Sequence, residues 1–310
     1  MCLVVVYVIW GTSYPAIRVM VAPAHGQGLP TIFGAGSRLL LAGMLLVCVA
    51  TASRRGRAAI RRVEGQGHRL RASIRAGLLL SFGTGILTTF AARTVESGVL
   101  ATLMATSPLW TALLLAVTNR HMPSTLTFLG LGLGIGGVAF LGSDSEFNVG
   151  PGVILATAAA LTWSIGSWYT AHVELPTQVL YASGVSHMVS GSALLLIATA
   201  SGEVPQLVSG SISQASWIAL AYLTCVSMTG FAAYSWLLVN ANPLMATTHA
   251  FVNPVVAALV GILVLEEKLR PAVLVSAALV GAGALLVLSR DGLSVRRRLR
   301  RAALLSLPEE

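Results

Sequence analysis

The chain has 310 residues, 55% hydrophobic and only 10% charged, with a mean hydropathy of +0.80. A soluble protein carries about a quarter charged residues, so this composition excludes a water-soluble domain. The formal charge of +9 therefore has to be read by position before it is read as affinity for nucleic acid.

Apolar stretches of about 20 residues cross the hydrocarbon core as helices. Ten are predicted, at roughly 3–23, 31–52, 76–94, 97–118, 124–142, 152–171, 177–200, 215–239, 243–264 and 271–289. The first begins almost at Met1 without a basic flank, and Ala22-Pro23-Ala24 resembles a cleavage site. A signal peptide needs a positive leading region, so this span is expected to remain in the protein. It carries Trp10-Gly11, Pro15 and Arg18, and span two carries Arg38. Span four contains Pro108 in ATSPLWTALLL. The glycines of 130–142 in span five suit helices that pack backbone to backbone in lipid. Span six holds Trp163-Ser164, span seven His187, and span nine His249, Asn253 and Pro254.

Eight arginines lie between spans two and three, six follow span ten, and Arg120 sits between spans four and five. With ten spans these fifteen share one face; the other has only Arg93, Lys268 and Arg270, in company with six acids. Lys and Arg mark cytoplasmic loops, so both termini are expected in the cytoplasm. The charge then serves topology, and no nucleic-acid partner is implied. The loop at 53–75 and the tail at 290–301 are expected at the inner leaflet, drawn by anionic lipid. Cys2, Cys48 and Cys225 show neither metal nor disulfide spacing.

Pro108 has a counterpart at Pro254, 146 residues later, and both are followed at the same distance by Ala-Leu. At that offset spans three and four align with spans eight and nine, and Gly137 aligns with Gly283. Five spans per half is an odd number, so the second copy enters the membrane inverted. That is the plan of carriers whose site lies near the midplane between repeats. The expected fold is all-α and membrane-integral, ten helices in two inverted five-helix repeats at 3–142 and 152–289, with a basic tail at 290–310.

The segments Trp10-Gly11-Thr12-Ser13-Tyr14 with Arg18, Ser37-Arg38-Leu39-Leu40-Leu41-Ala42, the Pro108 segment, and Asn253-Pro254 through Glu266-Glu267-Lys268-Leu269 resemble the EamA family of the drug/metabolite transporter superfamily. The resemblance covers about residues 3–289. It implies ten helices, a central cavity between the halves, and export of small metabolites by alternating access. One departure stands out: the family often has an acid where span four ends, as Glu266 follows span nine, but here the matching residue is Arg120.

Arg18 and Arg38 are the sharpest pathway candidates. A charge at a helix centre costs about 2.5–3.5 kcal/mol on insertion scales, so it faces a cavity or a partner unless it snorkels to the headgroups. With no carboxylate in the same spans, the pair is expected to favour an anionic or zwitterionic solute. None of the eleven acids lies near mid-span, which leaves His187 and His249 as groups that change charge near physiological pH. Trp10, Trp110 and Trp163 are candidate cavity walls. Trp168, Tyr169, Tyr181, Tyr222, Tyr234 and Trp236 divide between walls and interfacial anchors. Pro15, Pro108 and Pro254 are candidate kinks or gates. Pro108 and Pro254 free carbonyls near Met104 and Ala250 that Thr106, Ser107, Thr248 or Asn253 could satisfy.

No nucleophile, metal or phosphate-loop motif accompanies these residues, so no cofactor or metal is expected. The expected function is a secondary transporter of small amino-acid-like, amphipathic or anionic metabolites, working as an exporter. A multidrug exporter of the same fold stands as the alternative, and from other classes a membrane-embedded enzyme or a passive channel. A homodimer is left open.

Overall fold

The structure, a computed structural model, describes residues 2–52, 67–119, 124–142, 150–174, 176, 178–209, 211–240, 249–268 and 270–287. The arginines of 54–62, Arg120, the tail and the side chains of Tyr234 and Trp236 lie outside the described residues. All ten predicted spans are helices: α1 Cys2–Val21, α2 Thr31–Ala52, α3 Gly67–Ala91, α5 Thr125–Gly142, α6 Pro151–His172, α7 Val179–Ala200, α8 Gln214–Asn240, α9 His249–Leu265 and α10 Pro271–Val287, with α4 in two pieces, Ser97–Met104 and Ser107–Asn119. By length and composition α1 to α5 and α7 are each able to span a bilayer.

The two halves interlock instead of sitting side by side. In the first half, α1 packs on α8 and α9, as α6 of the second half packs on α3 and α4. Between them α2 meets α7 and α4 meets α9. Each contact thus has a mate with the halves exchanged, which is what an internal repeat imposes.

Lipid tails are as apolar as leucine, so helices associate in a bilayer through close packing of small residues. Here the small residues recur seven apart, two turns, on one face of each paired helix. Gly36 and Gly43 of α2 face Gly191 and Gly184 of α7 in antiparallel order. A Cβ on Gly43 would lie 2.7 Å from the Gly184 carbonyl oxygen. Gly130 and Gly137 of α5 meet Gly283 and Ser276 of α10 the same way, with a Cβ on Gly130 falling 2.5 Å from the Gly283 carbonyl oxygen.

One end of the bundle is sealed. The main apolar cluster gathers Met20, Leu29, Val95, Leu100, Leu141, Leu223 and Val273, contributed where α1, α3 and α5 end and where α2, α4, α8 and α10 begin. Polar contacts close the same end across the halves. Glu203, following α7, accepts hydrogen bonds from the backbone N–H groups of Ile32 (3.2 Å) and Phe33 (2.7 Å) at the start of α2. Glu267, following α9, does the same for Ser97 N–H at the start of α4 and accepts the Ser97 hydroxyl at 2.9 Å. These carboxylates sit against helix N-termini, where orphan N–H groups and the dipole favour negative charge. Arg270 adds an ion pair to Glu96 at 3.0 Å. A parallel bridge joins Gln27 to Ile212, with Ser213 N–H donating to the Gln27 carbonyl at 2.8 Å. At the opposite end the described cross-half ion pair is Arg69 with Glu174, largely exposed and worth under about 1 kcal/mol.

The two acids that follow α9 take different parts. Glu266 takes a positive φ of 53°, a conformation usually left to glycine at helix ends. The turn it makes presents the next residue, so Glu267 and not Glu266 makes the helix-end contact.

Candidate functional site

Below the sealed end lies a cavity of about 370 Å³ lined from both halves of the chain. Its size suits a small organic molecule. Lining residues such as Thr111, Ser167, His249 and Val287 carry it toward the end away from the seal.

Proline chemistry sets one wall. Pro108 has no N–H, which strands the carbonyl of Met104. The helix breaks there, at Ala105 and Thr106, and the freed groups are met locally. The Ser107 hydroxyl donates to Met104 O at 2.6 Å and the Thr106 hydroxyl to Leu103 O at 2.6 Å. Across the halves, the Ser164 hydroxyl of α6 donates to Ser107 O at 2.8 Å. Ser107 and Asn253, the residues before the two repeat prolines, both line the cavity. The prolines themselves differ. Pro108 borders the cavity at a break, whereas Pro254 is buried inside a continuous α9 and Pro15 inside α1, both off the lining.

Three rings form a second wall. The indoles of Trp10 and Trp163, matched between the repeats, lie 6.4 Å apart at 81°. His249 stands edge-on to Trp10 at 4.5 Å, and its Nδ1 lies 3.4 Å from Asn253 Nδ2. Perpendicular rings at these separations are the favoured aromatic geometry.

The third wall holds the charge. Arg38 of α2 is only 8% exposed, yet it lines the cavity. Its Nε is buried without a hydrogen-bond partner, and among the described residues no carboxylate pairs with it. His187 of α7 lines the same cavity and is oriented by Nδ1 on the Ser183 carbonyl at 2.8 Å. Beside them α3 contributes Ser81, Thr84 and Thr88.

Arg18 is placed elsewhere. Its Nε lies 3.4 Å from Glu267, and it sits at the sealed end, off the cavity lining. The absence of an acid in spans one and two suggested two guanidiniums facing the pathway; the acid comes from the loop after α9 instead. Trp110 also lies off the lining, its Nε1–H donating to the Thr106 hydroxyl at 3.1 Å. Trp168, Tyr169, Tyr181 and Tyr222 are likewise outside the cavity. Trp168 packs near His172, and Tyr222 shares a 2.6 Å hydrogen bond with Thr12.

Sequence reasoning missed the α3 wall. Ser81, Thr84 and Thr88 recur at three- and four-residue spacing, one face of a helix, and that stripe of hydroxyls in an apolar span was the available signal. The local distortion was not legible: Leu78–Gly83 winds as a π-helix, a feature that concentrates at functional sites. It is here that Leu80 and Ser81 reach the cavity.

Comparison with known proteins adds family to geometry. The model of the EamA-like transporter family matches residues 1–143 and again 150–289. The chain is 30% identical over 267 residues to the uncharacterized inner membrane transporter YedA of Escherichia coli strain K12, covering 82% of this chain and 79% of that one. It is 21% identical to the uncharacterized transporter YoaV of Bacillus subtilis strain 168, over 90% and 92% of the two chains. A protein of known crystal structure superposes with a TM-score of 0.61 at 17% identity, over 96% of each chain, a likeness of fold alone. The ten described helices, in two family domains around a cavity that mixes apolar and polar side chains, make this chain a multi-pass membrane protein that belongs to the EamA-like transporter family of the drug/metabolite transporter superfamily, a family of transporters and not of enzymes.

Proposed function

We propose that the chain is a secondary transporter that exports small amino-acid-like, amphipathic or anionic metabolites across the cytoplasmic membrane by alternating access. The observation that carries this reading is Arg38, a buried guanidinium without a carboxylate partner among the described residues, facing a cavity between two repeats. An uncompensated charge in low dielectric is costly, and a solute that supplies the missing anion recovers that cost on binding. A guanidinium presents a planar fork suited to a carboxylate or phosphate. Each repeat, 3–142 and 152–289, contributes walls to the cavity, and the second copy runs inverted to the first. The arginine distribution puts both termini in the cytoplasm, with the basic loop and tail on anionic lipid. The sealed end is then the outer one, and the cavity is the inward-facing state from which export loads.

The test is untargeted metabolite profiling of medium from cells lacking the chain, overexpressing it, or overexpressing Arg38→Ala at matched protein level. The expected result is a small anionic or amphipathic metabolite that accumulates outside on overexpression. Arg38→Ala lowers its efflux by at least about tenfold, the value of one charge-assisted hydrogen bond or more. Unchanged efflux in Arg38→Ala would place that residue outside the pathway.

A further inference from the structure

Within that reading, the charge inventory of the cavity narrows the solute. Among the described lining residues there is one guanidinium, Arg38, two imidazoles, His187 and His249, and no carboxylate. The second candidate cation is spoken for, since Arg18 pairs with Glu267. Arg270 is paired with Glu96 at the sealed end. A single fixed positive charge matches one negative charge and leaves a dianion half-neutralised.

A zwitterion meets a different obstacle. Carriers with broken helices hold cations on the unwound backbone carbonyls, and an ammonium group without an acid would need acceptors of that kind. This chain has such a break in α4, where three of the carbonyls beside it are already engaged. Leu103 O accepts from Thr106, Met104 O from Ser107, and Ser107 O from both Ser164 and Thr111. An α-amino group bound near Arg38 would lose its hydration and, among the described lining residues, meet only neutral acceptors such as Asn253 Oδ1, and buried charge without a counter-charge is strongly penalised.

Another wall of the cavity is ring-lined. Trp10 and Trp163 meet at 81°, and His249 stands perpendicular to Trp10. Two indoles at a right angle form a corner that buries a flat apolar body by offset or edge contact. Asn253, Ser13 and Ser107 border the same space with neutral hydrogen-bonding groups, which orient a polar substituent without asking for charge.

We infer that the site takes a monocarboxylate with a flat apolar body and no ammonium group, its carboxylate on Arg38 and its ring in the Trp10–Trp163 corner. The inference rests on the carrier reading and excludes α-amino acids from the class named there.

The test is binding by the purified full-length protein at neutral pH, followed by quenching of tryptophan fluorescence and by thermal shift. The probes share one ring and differ in charge: 3-phenylpropionate, its neutral amide, 3-phenylpropylamine, phenylalanine and the dianion phenylsuccinate. Hexanoate serves as the acid without a ring. The acid 3-phenylpropionate is expected to bind at least about tenfold tighter than each of the others, since a site loses that much when a charged partner goes unmet. Arg38→Gln is expected to erase the advantage of the acid over its amide, and Arg38→Lys to keep part of it. Phenylalanine, the amine or the dianion binding as tightly as the acid overturns the inference, as does absence of acid binding or an advantage that survives Arg38→Gln. The wild-type comparison stands whether or not the variants fold. Counterflow in liposomes separates the two levels. Saturable, trans-stimulated flux of phenylalanine without flux of the acid sinks this inference and leaves the carrier. Absence of such flux for every probe and every metabolite found by profiling sinks the carrier reading too.

Discussion

Two arginines in apolar helices have opposite fates, and the difference is physical. Arg18 has Glu267 within 3.4 Å and is partly exposed, whereas Arg38 is buried and has no such partner among the described residues. A buried unpaired charge destabilises the empty protein, so Arg38→Met is expected to raise the melting temperature or leave it unchanged in detergent. Arg18→Gln removes one partner of Glu267 and is expected to lower stability by about 1–2 kcal/mol, discounted for its exposure, without changing solute affinity. Thermal unfolding with binding measured in parallel checks both. A large loss of stability in Arg38→Met would mean a structural partner for that guanidinium. The positions of Trp10, Arg38, Trp163, His249 and Asn253 were legible because a polar or aromatic residue inside an apolar span has to face something. The fate of Arg18 was not, because its partner lies after α9 and only the fold brings them together.

At the level of elements, hydropathy located every span because a bilayer sets one length for all of them. Pro108 announced the break in α4. What hydropathy could not show is which helices pair, since apolar residues look alike in lipid. The small residues seven apart on α2, α5, α7 and α10 do show it, and the backbone approaches they allow leave no room for a methyl group. Gly43→Ala would place a Cβ 2.7 Å from both Gly184 O and Met188 N. Overpacking of this kind costs about 1–3 kcal/mol. Gly132→Ala on α5 meets nothing within 4 Å and is the matched control. Thermal unfolding of the two variants in detergent should show a loss for Gly43→Ala alone. Equal behaviour would mean that α2 and α7 do not meet at this crossing.

For the whole molecule, the repeat predicts the exchange of contacts between halves, but the two ends of the bundle are not equally closed. One end is shut by the apolar cluster around Leu100 and Leu223, by Glu203 on α2 and Glu267 on α4, and by the Gln27–Ile212 bridge, and the proposed topology makes it the outer one. Nothing in a linear sequence marks which end is closed, because both ends contribute apolar helix termini. Bridged residues lie close enough for a disulfide, so Gln27→Cys with Ile212→Cys, in a background without Cys2, Cys48 and Cys225, fixes this end shut on oxidation. A further Ser167→Cys reports on the cavity, which Ser167 lines. The decisive measurement is the labelling of that cysteine by a membrane-impermeant maleimide from each face of oriented vesicles. The account predicts labelling from both faces in the reduced protein and from the cytoplasmic face alone once the disulfide has formed. Outer-face labelling that survives the crosslink, or no labelling from the cytoplasmic face, would contradict it.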